Sequence, residues 1–199
     1  MRIWAGLTAV FLLATVCGAA TKPTPPPKET PASPPLVQVV TSMGNFTIEL
    51  NAERAPLTVA AFLKYVDAGQ YTGTIFHRVI SNFVIQGGGY DKDYKVRPAA
   101  TKTFNESGNG LNNGRGTVGL ARSAEPHSGD CQFYVNLNDN SGLDPSPARW
   151  GYAVFGKVIA GMDVVDRISN QPTGAVGPFK EDAPLSPVVI ERIERLPNP

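Results

Sequence analysis

The sequence predicts a mainly β fold, a closed eight-stranded antiparallel barrel capped by two helices. Three observations lead there. Short apolar or alternating runs, each bounded by Gly, Asn or Pro, recur along the chain as strands do. Two segments carry apolar residues at helical spacing. The strands follow one another without the strand–helix–strand rhythm that builds a parallel sheet, which favours closure into a barrel.

Leu36 to Val40 and Asn45 to Leu50 flank Thr41-Ser42-Met43-Gly44, where Gly44 accepts the positive φ of a hairpin turn, so the two runs should pair antiparallel. Pro56 suits a first helical turn. Val59, Ala60, Phe62, Leu63 and Val66 then recur at helical spacing until Gly69 stops the helix. Thr74 to Ile80, Phe83 to Gln86, Thr117 to Arg122, Cys131 to Leu137 and Tyr152 to Val158 read as further strands, and Val188 to Leu196 as the last. Met162 to Ile168 makes a short second helix. Between Tyr90 and Gly116 the chain is polar and glycine-rich, with Asn109, Asn112 and Asn113 among the glycines. A connection of that length is either functional or mobile.

The N-terminus reads differently. Arg2 precedes a charge-free stretch from Ile3 to Cys17, and the small residues Gly18 and Ala20 follow, which predicts an export signal over residues 1–20 with cleavage after Ala20. The stretch is too short for a comfortable membrane span. A lipid anchor on Cys17 is the alternative, although Val16 is bulkier than the residue that normally precedes such a cysteine. Seven of the fifteen residues from Thr21 to Pro35 are proline, the composition of an extended tether, so residues 36–199 form the single folded domain, about 165 residues with a core of its own. Lys plus Arg total 18 against 17 Asp plus Glu, and removing Arg2 with the signal leaves formal neutrality, which gives no sign of nucleic acid or anionic lipid as the main partner. Cys131 is then the one cysteine left, so the domain has no intramolecular disulfide. It is expected to be a monomer.

The chemistry concentrates in Phe76 to Gly89, FHRVISNFVIQGGG. By strand alternation Arg78 lies between Phe76 and Ile80 on one face, and Phe83 and Gln86 follow just beyond a turn. This juxtaposes a fixed cation, an amide and apolar side chains. Taken alone, Arg78 reads as the strand arginine of an ordinary ion pair with a carboxylate. His77 should point away from Arg78 and make a structural hydrogen bond.

This stretch resembles the signature of the cyclophilin-type peptidyl-prolyl cis-trans isomerases, and GTVGLAR, CQFYVN, LD and YAVFGKVIAGMDVVD follow in the family's order. The resemblance covers essentially all of Leu36 to Leu196 and is strongest to the bacterial periplasmic members. It implies Arg78 as the catalytic arginine, accompanied by Phe83 and Gln86. Phe83, Val84, Tyr134 and Leu143 would line the pocket for the proline ring, with Gln86 and Gln132 beside the rotating bond and Tyr152 also binding substrate, and Ala121 and the backbone of Arg122 would hold the residues preceding the proline. No cofactor or metal is implied. The partners would be proline-containing segments of unfolded or exported proteins in the periplasm. Ser81 and Asn82 stand where relatives have Pro-Gly, and Val84 where many have Met. Tyr134 replaces Phe and brings a hydroxyl that needs a partner. Gly142 occupies a position where an aromatic residue, Trp above all, favours cyclosporin A, so weak affinity for that drug is expected.

A hydrolase would need a nucleophile and a base. The chain offers two histidines, His77 and His127, and the neighbours His127, Ser128, Asp130 and Cys131 sit too close in sequence for a triad. Two histidines without a cysteine pair also argue against a metal site. The competing class is a module of the same fold that holds proline-containing clients without turning them over, which would have no use for a cation at the proline nitrogen.

Overall fold

The computed structural model describes residues 33–197. The expected export signal of residues 1–20, the alternative anchor at Cys17 and most of the expected 21–35 tether lie outside the described residues.

Among the described residues there are ten strands, two α-helices and one short 3-10 turn. Eight strands close the barrel: β1 (Leu36–Thr41), β2 (Gly44–Leu50), β3 (Thr74–Ile80), β4 (Val84–Asp91), β5 (Thr117–Leu120), β6 (Phe133–Asn136), β7 (Val154–Ala160) and β10 (Val189–Leu196), in the order β1-β10-β3-β4-β6-β5-β7-β2 with every pairing antiparallel. These are the eight strands expected from the sequence. Gly44 takes φ 119° in the β1–β2 hairpin. The remaining two, β8 (Thr173–Val176) and β9 (Phe179–Pro184), form a separate hairpin in a stretch where the sequence predicts no strand. Apart from the buried Ala183 and Pro184, their residues are exposed or half-exposed and lack the apolar alternation that marks the barrel strands.

Inside the barrel, aromatic rings interlock. Phe62 of α1 (Pro56–Asp67) stands edge-on to Phe133 of β6 at 5.7 Å between centroids, and Phe133 is edge-on to Phe76 of β3 at 6.1 Å. The second helix, α2 (Met162–Ser169), buries Val164, Val165 and Ile168 against the same core. The N-terminus of α1 has no side-chain cap of its own. Glu106, from the long connection, supplies one: its carboxylate accepts from the backbone N–H groups of Leu57 (3.1 Å) and Thr58 (2.8 Å) and from the Thr58 hydroxyl (2.7 Å). The Tyr65 hydroxyl donates to the Thr101 carbonyl at 2.7 Å. The connection from Tyr90 to Gly116 is thus tied to the domain by side-chain bonds, and its polar residues are there to make them.

Strand β3 departs from simple alternation. Its pairs with β4 run Phe76–Gly87 and then Arg78–Gln86, so His77 is one extra residue on β3, a bulge. Phe76 and Val79 both enter the core, whereas Arg78 and Ile80 turn to the outer face. Phe76, Arg78 and Ile80 therefore do not share a face, because strand periodicity cannot anticipate an inserted residue. His77 packs beneath the β8–β9 hairpin, 5.4 Å from the Phe179 ring and 4.7 Å from Tyr90.

Burial has a titration consequence there. His77 is 4 % exposed and its Nδ1 has no hydrogen-bond partner. Burial lowers its pKa from 6.5 to about 4, aided by the Arg78 charge and opposed by a hydrogen bond to the Ile75 backbone. The unfolded chain takes up the proton more readily than the folded one. The stability contributed by neutral His77 is therefore complete above about pH 6.5 and is lost as the pH falls towards 4, about 3 kcal/mol in total. Urea unfolding at pH 7 and pH 4 checks this: His77→Phe should flatten the pH dependence by most of that amount, and an unchanged slope would remove His77 as its source.

Candidate active site

On the outer face of the barrel, β3, β4, β6 and the ends of β5 and β7 frame a cavity of about 380 Å³ lined by Arg78, Phe83, Val84, Gln86, Ala121, Arg122, Tyr134, Leu143 and Tyr152. Nine of the ten residues singled out from the sequence thus meet in one place. The tenth, Gln132, stands just beyond: its Oε1 accepts from Gln86 Nε2 at 3.1 Å. The grouping follows from the pairing. Gln86 is the β4 partner of both Arg78 on β3 and Tyr134 on β6, so three successive strands present these side chains in a row. Phe83 sits at the turn between β3 and β4, which Asn82 closes at φ 59°, a left-handed conformation that asparagine tolerates well.

The cavity divides into an apolar floor and a charged edge. Val84, Ala121 and Tyr134 are buried, with Phe83, Leu143 and Tyr152 packed over them. The Tyr134 and Tyr152 rings meet edge-on at 6.1 Å. Tyr134 can lie flat across β5 because its cross-strand partner is Gly119, where any Cβ would overlap the phenol ring. Its hydroxyl finds the partner it needs, donating to Asn113 Oδ1 at 2.6 Å, and burial pushes its pKa well above the usual tyrosine range.

Arg78 stands at the edge. Its Nη1 lies 3.5 Å from Gln86 Oε1, its Nε 3.9 Å from the Asp182 carboxylate, and its guanidinium carbon 5.9 Å from the centre of the Phe83 ring. Arg78 is thus both paired with a carboxylate and placed at the rim of the cavity. Arg122 is committed otherwise. Its side chain donates to the carbonyls of Gly151 (3.1 Å), Ser123 (2.9 Å) and Trp150 (2.8 Å) and lies 4.4 Å over the Tyr152 ring, so the guanidinium supports the wall of the cavity. Gly142, next to the cavity-lining Leu143, is exposed, and a Cβ added there would meet nothing within 4 Å.

Two groups of residues around the site escaped the sequence reading. Asp182 is one: it sits on β9 at φ 62° and reaches Arg78 only because the hairpin folds over the His77 bulge. The other is a buried amide network under the floor. Asn113 receives Tyr134 and Asn136 on its Oδ1 and donates to Asp144 at 2.9 Å, while Asn140 donates to Asn136 (2.7 Å) and to the Phe83 carbonyl (2.9 Å). The run of asparagines and glycines signalled something at Asn113 but not what.

A nucleophilic reading has no geometry behind it. His127 Nδ1 accepts the Asn105 N–H at 3.1 Å, Ser128 donates to the Glu125 carbonyl, and Cys131 is buried with its thiol pushed up to about 11 by desolvation. Among the described residues no three His, Cys, Asp or Glu side chains group as metal ligands do.

Comparisons with known proteins agree with this geometry. The family model described as cyclophilin type peptidyl-prolyl cis-trans isomerase/CLD matches residues 36–195. A peptidyl-prolyl cis-trans isomerase of Acinetobacter baylyi is 46% identical over 159 residues, covering 80% of this chain and 84% of that protein. Peptidyl-prolyl cis-trans isomerase B of Escherichia coli is 43% identical over 161 residues, covering 79% and 98%. A crystal structure of a cyclophilin type isomerase of Cryptosporidium parvum superimposes with a TM-score of 0.68 at 26% identity, covering 83% of this chain and 99% of the other. The same Cryptosporidium protein, solved in the presence of the dipeptide Ala-Pro, gives 0.67 at 25% identity over 82% and 99%. An outer-face apolar cavity edged by a fixed cation, a closed eight-stranded barrel and a family match across nearly all the described residues lead to one conclusion: the chain belongs to the cyclophilin-type peptidyl-prolyl cis-trans isomerases.

Proposed function

We propose that this isomerase turns over X-Pro bonds by seating the proline ring on Val84, Tyr134 and Leu143 while Arg78 stabilises the twisted amide, and that it serves the folding of exported proteins. The observation that carries the proposal is the half-exposed Arg78 guanidinium, held by Gln86 and Asp182 at the rim of an apolar cavity.

Amide resonance sets a rotation barrier of roughly 18–20 kcal/mol. Twisting the bond localises a lone pair on the proline nitrogen, so a donor aimed there binds the twisted state more tightly than either planar one, the difference that accelerates a reaction. Arginine remains protonated throughout, and its planar fork can also engage the carbonyl of the proline. Gln86 restricts Nη1, Asp182 restricts Nε, and the apolar floor lowers the local dielectric so that the remaining donors act more strongly than in water. Gln132 orients the Gln86 amide, and Ala121 with the Arg122 backbone flanks the residues before the proline. Asp182 is a positioning residue that acts through Arg78. No nucleophile, cofactor or metal enters the reaction.

The export reading rests on the charge-free segment after Arg2 and the small residues before Thr21. It places a monomeric enzyme in the periplasm on a proline-rich tether, with holding of unfolded clients as a second use of the same cavity. Mass spectrometry of the mature chain from a bacterial host should find Thr21 first; diacylglycerol on Cys17 would replace secretion by anchoring.

Exchange of an Ala-Pro peptide measured by NMR tests the catalytic assignment. Arg78→Ala should lower kcat by about 100- to 1,000-fold. Asp182→Asn keeps a residue that accepts positive φ and removes the charge; an exposed pair of this kind contributes at most about 1 kcal/mol, so kcat should fall up to about fivefold with KM little changed. Added to Arg78→Ala, it should cost nothing more. Independent, additive losses would sink the positioning role, and equal turnover by wild type and Arg78→Ala would sink the role of Arg78.

Cyclosporin A should bind weakly, because Gly142 offers no aromatic side chain next to the cavity-lining Leu143. Gly142→Trp should tighten binding by about tenfold through ring contact. A nanomolar dissociation constant for wild type by fluorescence titration would contradict this.

A further inference from the structure

Past Arg122, on the side given to residues preceding the proline, three aromatic rings stand in a row on the surface. Phe104 is 68% exposed and Trp150 is 49% exposed, and the exposed His127 ring lies between them, edge-on to both at 5.5 Å and 5.2 Å. They come from three separate segments: the long connection, the loop before β6 and the loop before β7. Trp150 also walls a second cavity, about 360 Å³, whose other apolar walls are Pro145, Pro147 and Ala148. Its volume nearly equals that of the Arg78 cavity, and nothing in the catalytic proposal uses it.

The row is held in place. Asn105 donates its backbone N–H to His127 Nδ1 at 3.1 Å and its side-chain amide to the carbonyls of Pro126 (3.1 Å) and Gly151 (3.0 Å). The Gly151 N–H in turn donates to Ser107 Oγ at 3.1 Å. The central ring, His127, fixed in this way, loses little freedom when it meets a ligand. Large exposed apolar side chains gathered in one patch mark interaction surfaces.

Continuity with the catalytic cavity identifies what binds. Arg122 bridges the two, its guanidinium stacked on Tyr152 of the first cavity and donating to the backbone carbonyl of Trp150. Trp150 and Tyr152 are two residues apart, which sets their Cα atoms at most about 7 Å from each other. An extended client advances about 3.3 Å per residue. A chain whose proline sits beside Arg78 and which leaves over Ala121 and Arg122 thus passes the row within about three to five residues.

We propose that Phe104, His127 and Trp150, with the cavity beside Trp150, form an accessory subsite for an apolar or aromatic side chain three to five residues before the bound proline. The preferred client is then an unfolded polypeptide with a hydrophobic residue upstream of its X-Pro bond. This rests on the reading of the Arg78 cavity as the proline site. Contact far from the rotating bond is equal in ground and transition states, so it lowers KM and leaves kcat unchanged.

Decapeptides with one Ala-Pro bond and either Phe or Ser at three, four or five residues before the proline test the proposal by NMR exchange, alongside a short Ala-Pro peptide that ends before the row. Wild type should show a KM about tenfold lower for Phe at one of these positions, with the same kcat. Phe104→Ser/Trp150→Ser should remove that preference and turn over the short peptide as wild type does, and the single Phe104→Ser, at the more exposed ring, should remove part of it. Equal KM for Phe and Ser at all three positions in wild type overturns the subsite, as does a preference that survives in the double variant or a loss of short-peptide turnover in both variants. A wild-type dimer in sedimentation velocity that the double variant abolishes would also overturn it, giving the row to a second copy of the chain. Failure of the underlying reading would look different: Arg78→Ala would leave short-peptide turnover untouched whatever the upstream residue does.

Discussion

The outer face of the barrel depends on one inserted residue. Side chains alternate across a strand, so a regular β3 would send Arg78 inward with Phe76, into a core of interlocked aromatic rings where an unpaired guanidinium is prohibitively costly. The bulge at His77 shifts the phase. Phe76 and Val79 keep their places inside, and Arg78 emerges opposite Gln86, at the edge of an apolar cavity. The displaced His77 is left buried without a partner for Nδ1, and the β8–β9 hairpin covers it with Phe179. That cover brings Asp182 to Arg78. Exposing the cation, burying the histidine and adding the hairpin are one structural event.

A second constraint acts beneath the cavity. Tyr134 places a hydroxyl at the bottom of an apolar pocket, which is tolerable only if it is hydrogen-bonded. Asn113 takes that bond, Asp144 holds Asn113, and Asn136 and Asn140 extend the chain of amides to the backbone of Phe83. The floor and the turn carrying Phe83 are thereby connected through buried polar groups, which are directional in a way that apolar contacts are not. Gly119 completes the arrangement by leaving room for the phenol ring.

The long connection shows why glycine- and asparagine-rich composition is a poor guide to mobility. Glu106 caps α1, Thr101 is tied to Tyr65, and Asn105 and Asn113 each bind distant backbone or side-chain groups. The segment takes little part in the sheet, apart from the bridges Tyr90–Val96 and Thr103–Gly129, and is ordered by polar side chains instead.

What the sequence determined by itself was everything carried by local periodicity and turn chemistry: the eight barrel strands, the two helices with Pro56 and Gly69 at the ends of the first, the hairpin at Gly44, and the residues that share a cavity, the last through ordered motifs and not through periodicity. Hydrophobic alternation and glycine conformations are short-range properties, so they can be read along the chain. What only the tertiary structure decided was every relation between side chains distant in sequence or out of phase. The direction of Arg78 depended on a bulge that no pattern of two can encode, and the partnership of Asp182 with Arg78 on a hairpin too polar and irregular to read as strand. The partner of the Tyr134 hydroxyl, and the meeting of Phe104, His127 and Trp150, came from loops whose paths are set by hydrogen bonds across the fold. Such contacts form only once the barrel has closed, because it is closure that brings the separate segments within reach.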